Sequence, residues 1–253
     1  MKTAILITAR LKSTRLPMKV IKPILGRPMI CHMLDRLRLA QRPQEVIICT
    51  SHLAQDDELE NIAVRESIQC FRGHPDDVLL RLTDAARQFG VDTVVNCTAD
   101  NPFVDPVYID RLVDFHVDHR YDYSKCEGLP FGTFSYVLSY QAMVRACEMK
   151  AETDTEVWGS YFTDTGQFSW GVMHVTDPDV RWPELRLTVD TPEDFELVTR
   201  IFDELYQPNR VFPLSAIVDL CRHRPDLVAI NASVQQKPAR SIKLKGETGK
   251  TSV

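Results

Sequence analysis

The sequence predicts an α/β protein, a three-layer αβα sandwich around a mainly parallel, mixed sheet. Two observations predict this class. Short β-branched apolar runs alternate with amphipathic helical patterns over about the first 120 residues, which is typical of βαβ units with helices on both faces of a sheet. The 253 residues are 44% hydrophobic and 26% charged, which excludes a disordered chain and suffices for a large core. We therefore assign residues 1–235 to one domain.

The predicted strands of the first half are short apolar runs bounded by polar residues. They are residues 3–8, 45–50, 68–71 and 92–98. Apolar residues spaced three and four apart predict helices over 30–37, 78–89 and 109–116. Asp76 or Asp77 is expected near the N-cap of the second helix, and Gly90 at its end.

The alternation is interrupted after Tyr121. Residues 122–140 combine turn-forming glycine and proline with an aromatic, β-branched stretch, which predicts an inserted hairpin that could serve as a dimer arm. The pattern then resumes, with a helix over 139–149 and strands over 168–176 and 186–190.

The last predicted helix has clear caps. Thr191 and Asp194 have capping-box spacing, and Pro192 suits the first helical position. Residues 236–253 lack periodicity, so we expect a flexible tail there.

The formal net charge of −5 conceals a strong asymmetry along the chain. Residues 1–34 carry seven Lys or Arg and no acid, and residues 236–253 carry five basic residues and one acid. The 201 residues between them hold 18 basic and 34 acidic residues, a net charge of −16. A basic entrance on an acidic body indicates a small anionic ligand, whereas a nucleic-acid partner would favour a wholly basic face.

The sequence also indicates where the protein resides. No apolar run reaches the roughly 20 residues that span a bilayer, and the first residues lack a signal-peptide pattern. The seven cysteines are scattered without a CxxC pair, which favours reduced thiols over disulfides or a zinc site. We expect a cytoplasmic protein without a membrane partner.

The loop after the first predicted strand is the most informative segment. Residues 9–19 read ARLKSTRLPMK, with four cations and no acid. Arg side chains match phosphate oxygens in pairs, Lys adds a movable charge, and hydroxyls add donors. A solvated surface loop is the alternative. The segment lacks the glycines of GxxxxGK[ST] and GxGxxG, so neither a P-loop NTPase nor a Rossmann dehydrogenase is indicated.

Two aspartates follow predicted strands directly. Asp100 lies in the segment TADNP after residues 92–98, and Asp190 lies in VDTPED. Carboxylates at strand ends can hold Mg²⁺, which bridges to phosphates. A simple Asx turn at Asp100 and a helix cap at Asp190 are the alternatives. A further acidic group is expected to form only a solvated helix start: Asp56, Asp57, Glu58 and Glu60.

These segments resemble sugar nucleotidyltransferases with a GT-A-like, Rossmann-like fold. The ARLKSTRLPMK loop and GRPMI at residues 26–30 are similar to the N-terminal signature of cytidylyltransferases of the spore coat polysaccharide F type. That family is related to the CMP-Kdo and CMP-acylneuraminate synthetases. TADNP and VDTPED resemble its two metal-site motifs, and RGHPDDVL at residues 72–79 resembles its segment near the base and ribose. The likeness covers about residues 3–205.

The resemblance implies a CTP-dependent transfer to a small anionic sugar, with release of pyrophosphate, by a homodimer. Lys19 and Arg15 would be catalytic, and Asp100 and Asp190 would hold Mg²⁺. The implied nucleotide contacts are Ala9, Arg10, Leu11, Lys12, Ser13, Arg72, His74 and Asp77. The implied sugar contacts are Asn101, Ser135, Tyr136 and Glu156. Trp158 and Tyr161 could line that pocket or belong to the core.

Two departures from the family pattern leave alternatives open. The family often has Gly where this chain has Lys12 and Met18, and its usual acidic residue in the acceptor region is replaced around Ser135. The nucleotide could therefore be GTP, or the acceptor a sugar phosphate or a phosphonate. A non-catalytic nucleotide-binding protein and a glycosyltransferase are further alternatives, although neither Asp100 nor Asp190 lies in an Asp-x-Asp motif.

Overall fold

A computed structural model describes residues 1–236 and 241–245. Most strands belong to one central sheet: β1 (Thr3–Thr8), β4 (Glu45–Ser51), β5 (Gln69–Gly73), β6 (Thr93–Thr98), β7 (Tyr123–Glu127), β8 (Tyr136–Ser139) and β9 (Trp170–His174). Their order across the sheet is β5-β4-β1-β6-β8-β7-β9. Two short strands, β2 (Pro23–Ile24) and β3 (Arg27–Pro28), pair separately.

The longer helices of the described residues are α1 (Met29–Leu37), α2 (Asp57–Arg65), α3 (Val78–Phe89), α4 (Pro106–His119), α5 (Tyr140–Met149), α7 (Pro192–Leu205) and α8 (Leu214–His223). Two short helices are α6 (Ser160–Thr163) and α9 (Pro225–Ala229). Ile5 and Ile7 of β1 pack with α1, α2, α4, α7 and α8 on one face, whereas Ala4 and Leu6 pack with α3, α5 and α6 on the other. Alternate side chains of each strand thus enter opposite layers, and the predicted sandwich is confirmed.

The parallel part of the sheet determines where loops converge. β5, β4, β1 and β6 are parallel neighbours, and Thr8 at the end of β1 lies opposite both Cys49 and Thr98. The loops after these strands therefore leave the sheet at one edge. β8 runs antiparallel to both its neighbours, while β7 and β9 are parallel.

Local patterns predicted the elements with strong signals. Asp77 accepts the N–H of Leu80 as the N-cap of α3, and Gly90 ends that helix in the left-handed conformation. Thr191 and Asp194 form the expected capping box at the start of α7. No helix in the described ranges is both long and apolar enough to cross a membrane.

The strand predicted over 186–190 is wrong. Arg186 makes one isolated bridge to Phe131, and Leu187 donates its N–H to the Phe131 carbonyl at 2.8 Å. The N–H of Val189 donates to the Asp100 carbonyl at 2.8 Å. The partners of this extended, apolar segment are loops instead of a neighbouring strand, so no ladder forms.

Residues 122–140 do form an antiparallel strand pair, but it is part of the main sheet. β8 lies between β6 and β7, with Val137 and Leu138 fully buried. The predicted tail is also partly docked, because Ala151 donates its N–H to the Lys243 carbonyl at 2.9 Å. The remainder of the predicted tail, residues 237–240 and 246–253, lies outside the described residues.

Candidate active site

The basic loop after β1 is anchored from behind. The N–H of Ala9 donates to the Cys49 carbonyl at 3.2 Å, and the N–H of Leu11 donates to Asp56 Oδ1 at 2.8 Å. The N–H of Met18 donates to the Leu11 carbonyl at 3.3 Å. These bonds close the loop on itself and fix it to the neighbouring strand β4.

Lys19 lies between the two carboxylates that were predicted as metal ligands. Its Nζ is 2.9 Å from Asp100 Oδ2 and 2.8 Å from Asp190 Oδ1, and it also donates to the Val189 carbonyl at 2.7 Å. The carboxylates meet because the segment before α7 is hydrogen-bonded to the end of β6. Three predicted site residues are therefore in direct contact.

Burial disfavours the charges of this group, but the neighbouring opposite charges outweigh it. Desolvation lowers the pKa of Lys19, whereas Asp100 and Asp190 raise it, and the net shift is upward from 10.5. Desolvation raises the pKa of Asp190, whereas Lys19 and Arg15 lower it, and the net shift is downward from 3.8. Lys19 and Asp190 are therefore both ionised at neutral pH.

Two arginines hold the other oxygen of Asp190. Arg15 Nη2 and Arg186 Nη2 each lie 3.0 Å from Oδ2, and Arg186 Nε lies 2.9 Å from Asp194 Oδ1. Arg186 is not among the site residues that the sequence predicted. One signal could have identified it: residues four apart in an extended segment share a face, so Arg186 belongs beside Asp190.

The pair Asp100 and Asp190 fits a divalent cation. Their oxygens already flank one positive charge, the ammonium of Lys19. In residues 1–236 and 241–245, no group of three or more His, Cys, Asp or Glu side chains could hold a metal alone. Mg²⁺ is commonly bound by one or two carboxylates, with phosphates and water completing its coordination. The donor set therefore suits a metal that binds together with a phosphate ligand.

The turn after β5 is joined to the basic loop by Arg10. Arg10 Nη1 donates to the Pro75 carbonyl at 2.5 Å and to Asp76 Oδ1 at 3.1 Å, and Nη2 lies 3.9 Å from Glu156. His74 Nδ1 accepts the N–H of Asp76 at 3.2 Å, which stabilises the turn. The structure thus brings Arg10 and the His74 turn, predicted to contact the nucleotide, close to Glu156, predicted to contact the sugar.

Two side chains predicted to bind the nucleotide are engaged elsewhere. Arg72, on the edge strand β5, pairs with Asp57 at 2.6 Å and with Glu60 at 2.8 Å. Asp77 is 1% exposed, caps α3 and forms an ion pair with Lys150. In this structure the two side chains hold surrounding elements, and their contact with a nucleotide stays a prediction.

The remaining residues of the basic loop differ in their surroundings. Lys12 is exposed, and no ion pair joins it to another residue of the described ranges. Ser13 is half-buried, and its Oγ accepts the N–H of Leu16 at 3.3 Å. The ammonium of Lys12 is thus open to solvent, whereas the hydroxyl of Ser13 shapes the loop.

The predicted sugar contacts fall into two groups. Asn101 Oδ1 and Ser135 Oγ are buried and have no hydrogen-bond partner among the described residues, an uncommon state for polar atoms. Tyr136 instead packs in an aromatic cluster, with its ring 6.0 Å from Tyr123 and 5.7 Å from Trp158. Trp158 is itself buried, so the core alternative for this residue is confirmed.

Asp56 departs from its expected place in a solvated helix start. It is fully buried, and its carboxylate accepts hydrogen bonds from Ser51 Oγ and from the N–H of Leu11. Asp57 and Glu60 are exposed and Glu58 is partly exposed, in keeping with the predicted helix start. The acidic run therefore has one member that faces inward, against the basic loop.

Most of the chain is similar to proteins of one known family. The sequence profile of a family described as Cytidylyltransferase matches residues 4–215. The spore coat polysaccharide biosynthesis protein SpsF of Bacillus subtilis is 27% identical over 227 residues, which is 87% of this chain and 94% of that protein. The 8-amino-3,8-dideoxy-manno-octulosonate cytidylyltransferase of Shewanella amazonensis is 28% identical over 177 residues, or 64% of this chain and 65% of that protein.

A solved structure shares the fold. A cytidylyltransferase from Leptospira borgpetersenii serovar Hardjo-bovis superposes with a TM-score of 0.83 at 24% identity, covering 93% of this chain and 100% of that chain.

Proposed function

The chain belongs to the cytidylyltransferase family and is a nucleotidyltransferase, and on that premise we propose that it transfers CMP from CTP to an acidic, Kdo- or nonulosonate-like sugar and uses Mg²⁺. The observation that carries the proposal is the contact of Lys19 with Asp100 and Asp190 at 2.9 and 2.8 Å. A lysine and two carboxylates, one after β6 and one before α7, are groups that such a transfer needs, and they meet near the edge where ligands of α/β sheets bind.

In the proposed reaction, a hydroxyl oxygen of the sugar attacks the α-phosphorus of CTP. The new P–O bond forms as the bond to the β-phosphate oxygen breaks, pyrophosphate leaves, and the hydroxyl proton passes to water. Lys19 and Arg15 bind the phosphates and offset the negative charge that develops on the leaving group. The exposed Lys12 adds a third cation from the same loop.

Mg²⁺, when bound, neutralises phosphate charge and polarises the α-phosphate. Asp100 and Asp190 are the residues that would hold it, with Arg186 fixing Asp190 from the other side. Lys19 has to leave the carboxylates for this to occur, and the incoming phosphates supply the anion to which it moves.

We assign the nucleotide to the space between the basic loop and the turn at His74, where Glu156 also lies near Arg10, and the sugar to the side of Asn101 and Ser135. The oxygens of Asn101 and Ser135 lack hydrogen-bond partners but are buried, so a sugar hydroxyl would bond to them only after the surrounding side chains rearrange. Tyr136, packed among aromatic rings, would contribute only through its position beneath that surface.

The choice of sugar is supported by the names of the relatives. One acts on an octulosonate and another belongs to spore coat polysaccharide biosynthesis, so we propose an anionic sugar for surface-glycan assembly, activated in the cytoplasm. We also propose a homodimer. β8 is enclosed within the sheet, so among the strands of this region β9 is the one whose edge is open for pairing with a second subunit.

Pyrophosphate release tests the function. The protein is incubated with Mg²⁺ and each nucleoside triphosphate, against a panel of acidic sugars, sugar phosphates and phosphonates. We expect release with CTP and a sugar acid. Release with GTP, a sugar phosphate or a phosphonate would establish one of the alternatives, and tight CTP binding without release from any pair would contradict an enzymatic role.

Substitution of the carboxylates is the sharper test. We expect D100N and D190N to lower turnover by about a thousandfold, because each removes a charged group at the reacting phosphates. Asp203, an exposed aspartate on α7, offers the control D203N, which should retain turnover. Circular dichroism checks folding. A folded D100N variant with most of its activity would refute the metal assignment.

A further inference from the structure

Asp56 is a buried carboxylate that forms no salt bridge with the described residues, although Arg81 lies near enough to interact with it electrostatically. Asp56 is 0% exposed, and no Lys or Arg nitrogen of the described residues lies within 4.0 Å of it. Burying an ionised group in this way is unfavourable unless hydrogen bonds compensate. The two bonds of Asp56, from Ser51 Oγ and from the N–H of Leu11 at 2.8 Å, provide this compensation together with the nearby charge of Arg81.

The bond to Leu11 spans 45 positions of the sequence and enters the centre of the basic loop. Peptide bonds in the described residues are all trans. In a planar trans peptide, the carbonyl of the preceding residue points opposite to the N–H. Fixing the N–H of Leu11 toward Asp56 therefore directs the carbonyl of Arg10 away from it.

The same bond helps to fix the backbone of the loop at Leu11. The carbonyl of Leu11 accepts the N–H of Met18 at 3.3 Å, so Leu11 is held on both sides of its backbone. Arg10 and Lys12 flank it directly, and Lys19 follows the closing residue Met18. A displacement of Leu11 would therefore also displace Arg10, Lys12 and Lys19.

We propose that Asp56 is a positioning residue for nucleotide binding, which acts through the N–H of Leu11 without touching the ligand. The inference rests on the proposed function, since it takes CTP as the ligand of the loop. A role in stability alone is the competing explanation, and the two differ in one respect. A positioning role changes the affinity of the folded protein for CTP.

The test measures CTP binding to the full chain by calorimetry, in excess Mg²⁺ and without a sugar. We expect D56A to raise the Kd by about fiftyfold, because it removes both hydrogen bonds to a charged acceptor. D56N should raise it by only about fivefold, since a neutral amide oxygen can still accept the N–H of Leu11. E58Q, which alters an acid two positions along that pairs with Arg65 instead of the basic loop, should bind as the wild type does.

A local measurement keeps the test decisive if D56A does not fold. In D56N, amide hydrogen exchange at Leu11 should become about tenfold faster while exchange at Ile7 in β1 stays unchanged. Unchanged exchange at Leu11 together with an unchanged Kd would overturn the inference and leave the proposed function standing. A wild-type protein that binds no CTP would overturn both.

Discussion

At the scale of single residues, Lys19 occupies the position that we propose for a divalent cation. Its Nζ lies within hydrogen-bond distance of Asp100 and Asp190 at once. Two cations cannot share this space, because like charges at such separations repel strongly in a half-buried site. Lysine and metal should therefore compete until phosphates draw the lysine away.

The substitution K19M exposes this competition. With the ammonium removed, we expect the free protein to bind Mn²⁺ about tenfold more tightly, because the carboxylates lose a competing charge. Electron paramagnetic resonance of Mn²⁺ without nucleotide measures the affinity, independently of turnover. K22M is the control, because Lys22 lies over the ring of Phe195 and contacts neither carboxylate. Equal or weaker Mn²⁺ binding by K19M would refute the competition.

Met18 is a second residue whose environment makes a definite prediction. Its φ of 55° is left-handed, a conformation that costs a residue with a Cβ about 1 kcal/mol relative to glycine. We therefore expect M18G to be about 1 kcal/mol more stable than M18A, which keeps the strain while removing the rest of the side chain. At a loop position with negative φ, the alanine variant would be the more stable of the two. Urea unfolding of the two variants gives the difference, and a more stable M18A would disprove the strain.

The limits of sequence reasoning at this scale are visible in Asp56 and Arg186. The run at positions 56–60 has the charge pattern of a solvated helix start, and only a contact with Leu11 distinguishes Asp56 from its neighbours. Arg186 is similar, because its role depends on Asp194 being turned inward. The cations of the basic loop were identifiable because they are close together in the sequence, with no acidic residue among them.

At the scale of elements, the start of α7 joins the site to the core. Asp194 is fully buried and accepts from Arg186, from Asn231 and from the backbone of Asp190. Thr191 supplies only the reciprocal bond of the capping box. The cap predicted from sequence is thus also the support of Asp190.

We therefore expect unequal costs at this cap. T191A should lower the free energy of unfolding by about 1 kcal/mol, the usual effect of losing an N-cap. D194A should lower it by about 3 kcal/mol, because Arg186 loses a buried partner. Urea denaturation measures both. The exposed neighbour Glu193 provides the control E193Q, which should stay close to the wild type; equal costs for T191A and D194A would contradict the network.

The same carboxylate gives the pH dependence its sign. Burial raises the pKa of Asp194, but the contacts with Arg186 and Asn231 lower it by more than burial raises it. The pKa in the folded protein is therefore below 3.8. A carboxyl group with a depressed folded pKa stabilises the protein above its unfolded pKa, and this contribution disappears as the pH falls through the folded value. Between pH 5 and 2, unfolding free energies should fall more steeply in the wild type than in D194N. Parallel curves would show that Asp194 is not the source.

Elements were predictable where their signal is periodic and capped. Residues 78–89 combine helical spacing with Asp77 and Gly90, and the helix has those bounds. The segment 186–190 has an equally apolar pattern but no neighbouring strand to pair with. Periodicity reports burial on a face, and it does not report which partner supplies the hydrogen bonds.

At the scale of the whole molecule, the site depends on contacts between distant parts of the chain. Asp100 and Asp190 lie 81 and 171 positions after Lys19 in the sequence. Parallel strand ends made the meeting of Lys19 and Asp100 predictable, since neighbouring strands release their loops at one edge. The position of β8 inside the sheet was not predictable, because it depends on pairing with β6, about 40 residues earlier.

The segment 241–245 makes the last long-range contacts of the described residues, with the end of α5. The N–H groups of Ala151 and Lys245 bond to the carbonyls of Lys243 and Met149, both at 2.9 Å. Ile242 and Leu244 pack, partly buried, against the core layer of α3 and α5. This segment therefore covers apolar surface although its sequence predicted a flexible tail.

The double substitution I242S/L244S should lower the free energy of unfolding by about 1 to 2 kcal/mol, because it removes two partly buried aliphatic side chains. K243S is the matched control: its side chain is exposed and its contacts are made by the backbone carbonyl, so its stability should equal that of the wild type. Chemical denaturation of the full chain compares the three proteins. If the double variant unfolds at the wild-type denaturant concentration, the segment is not docked in solution and the layer of α5 is stable without it.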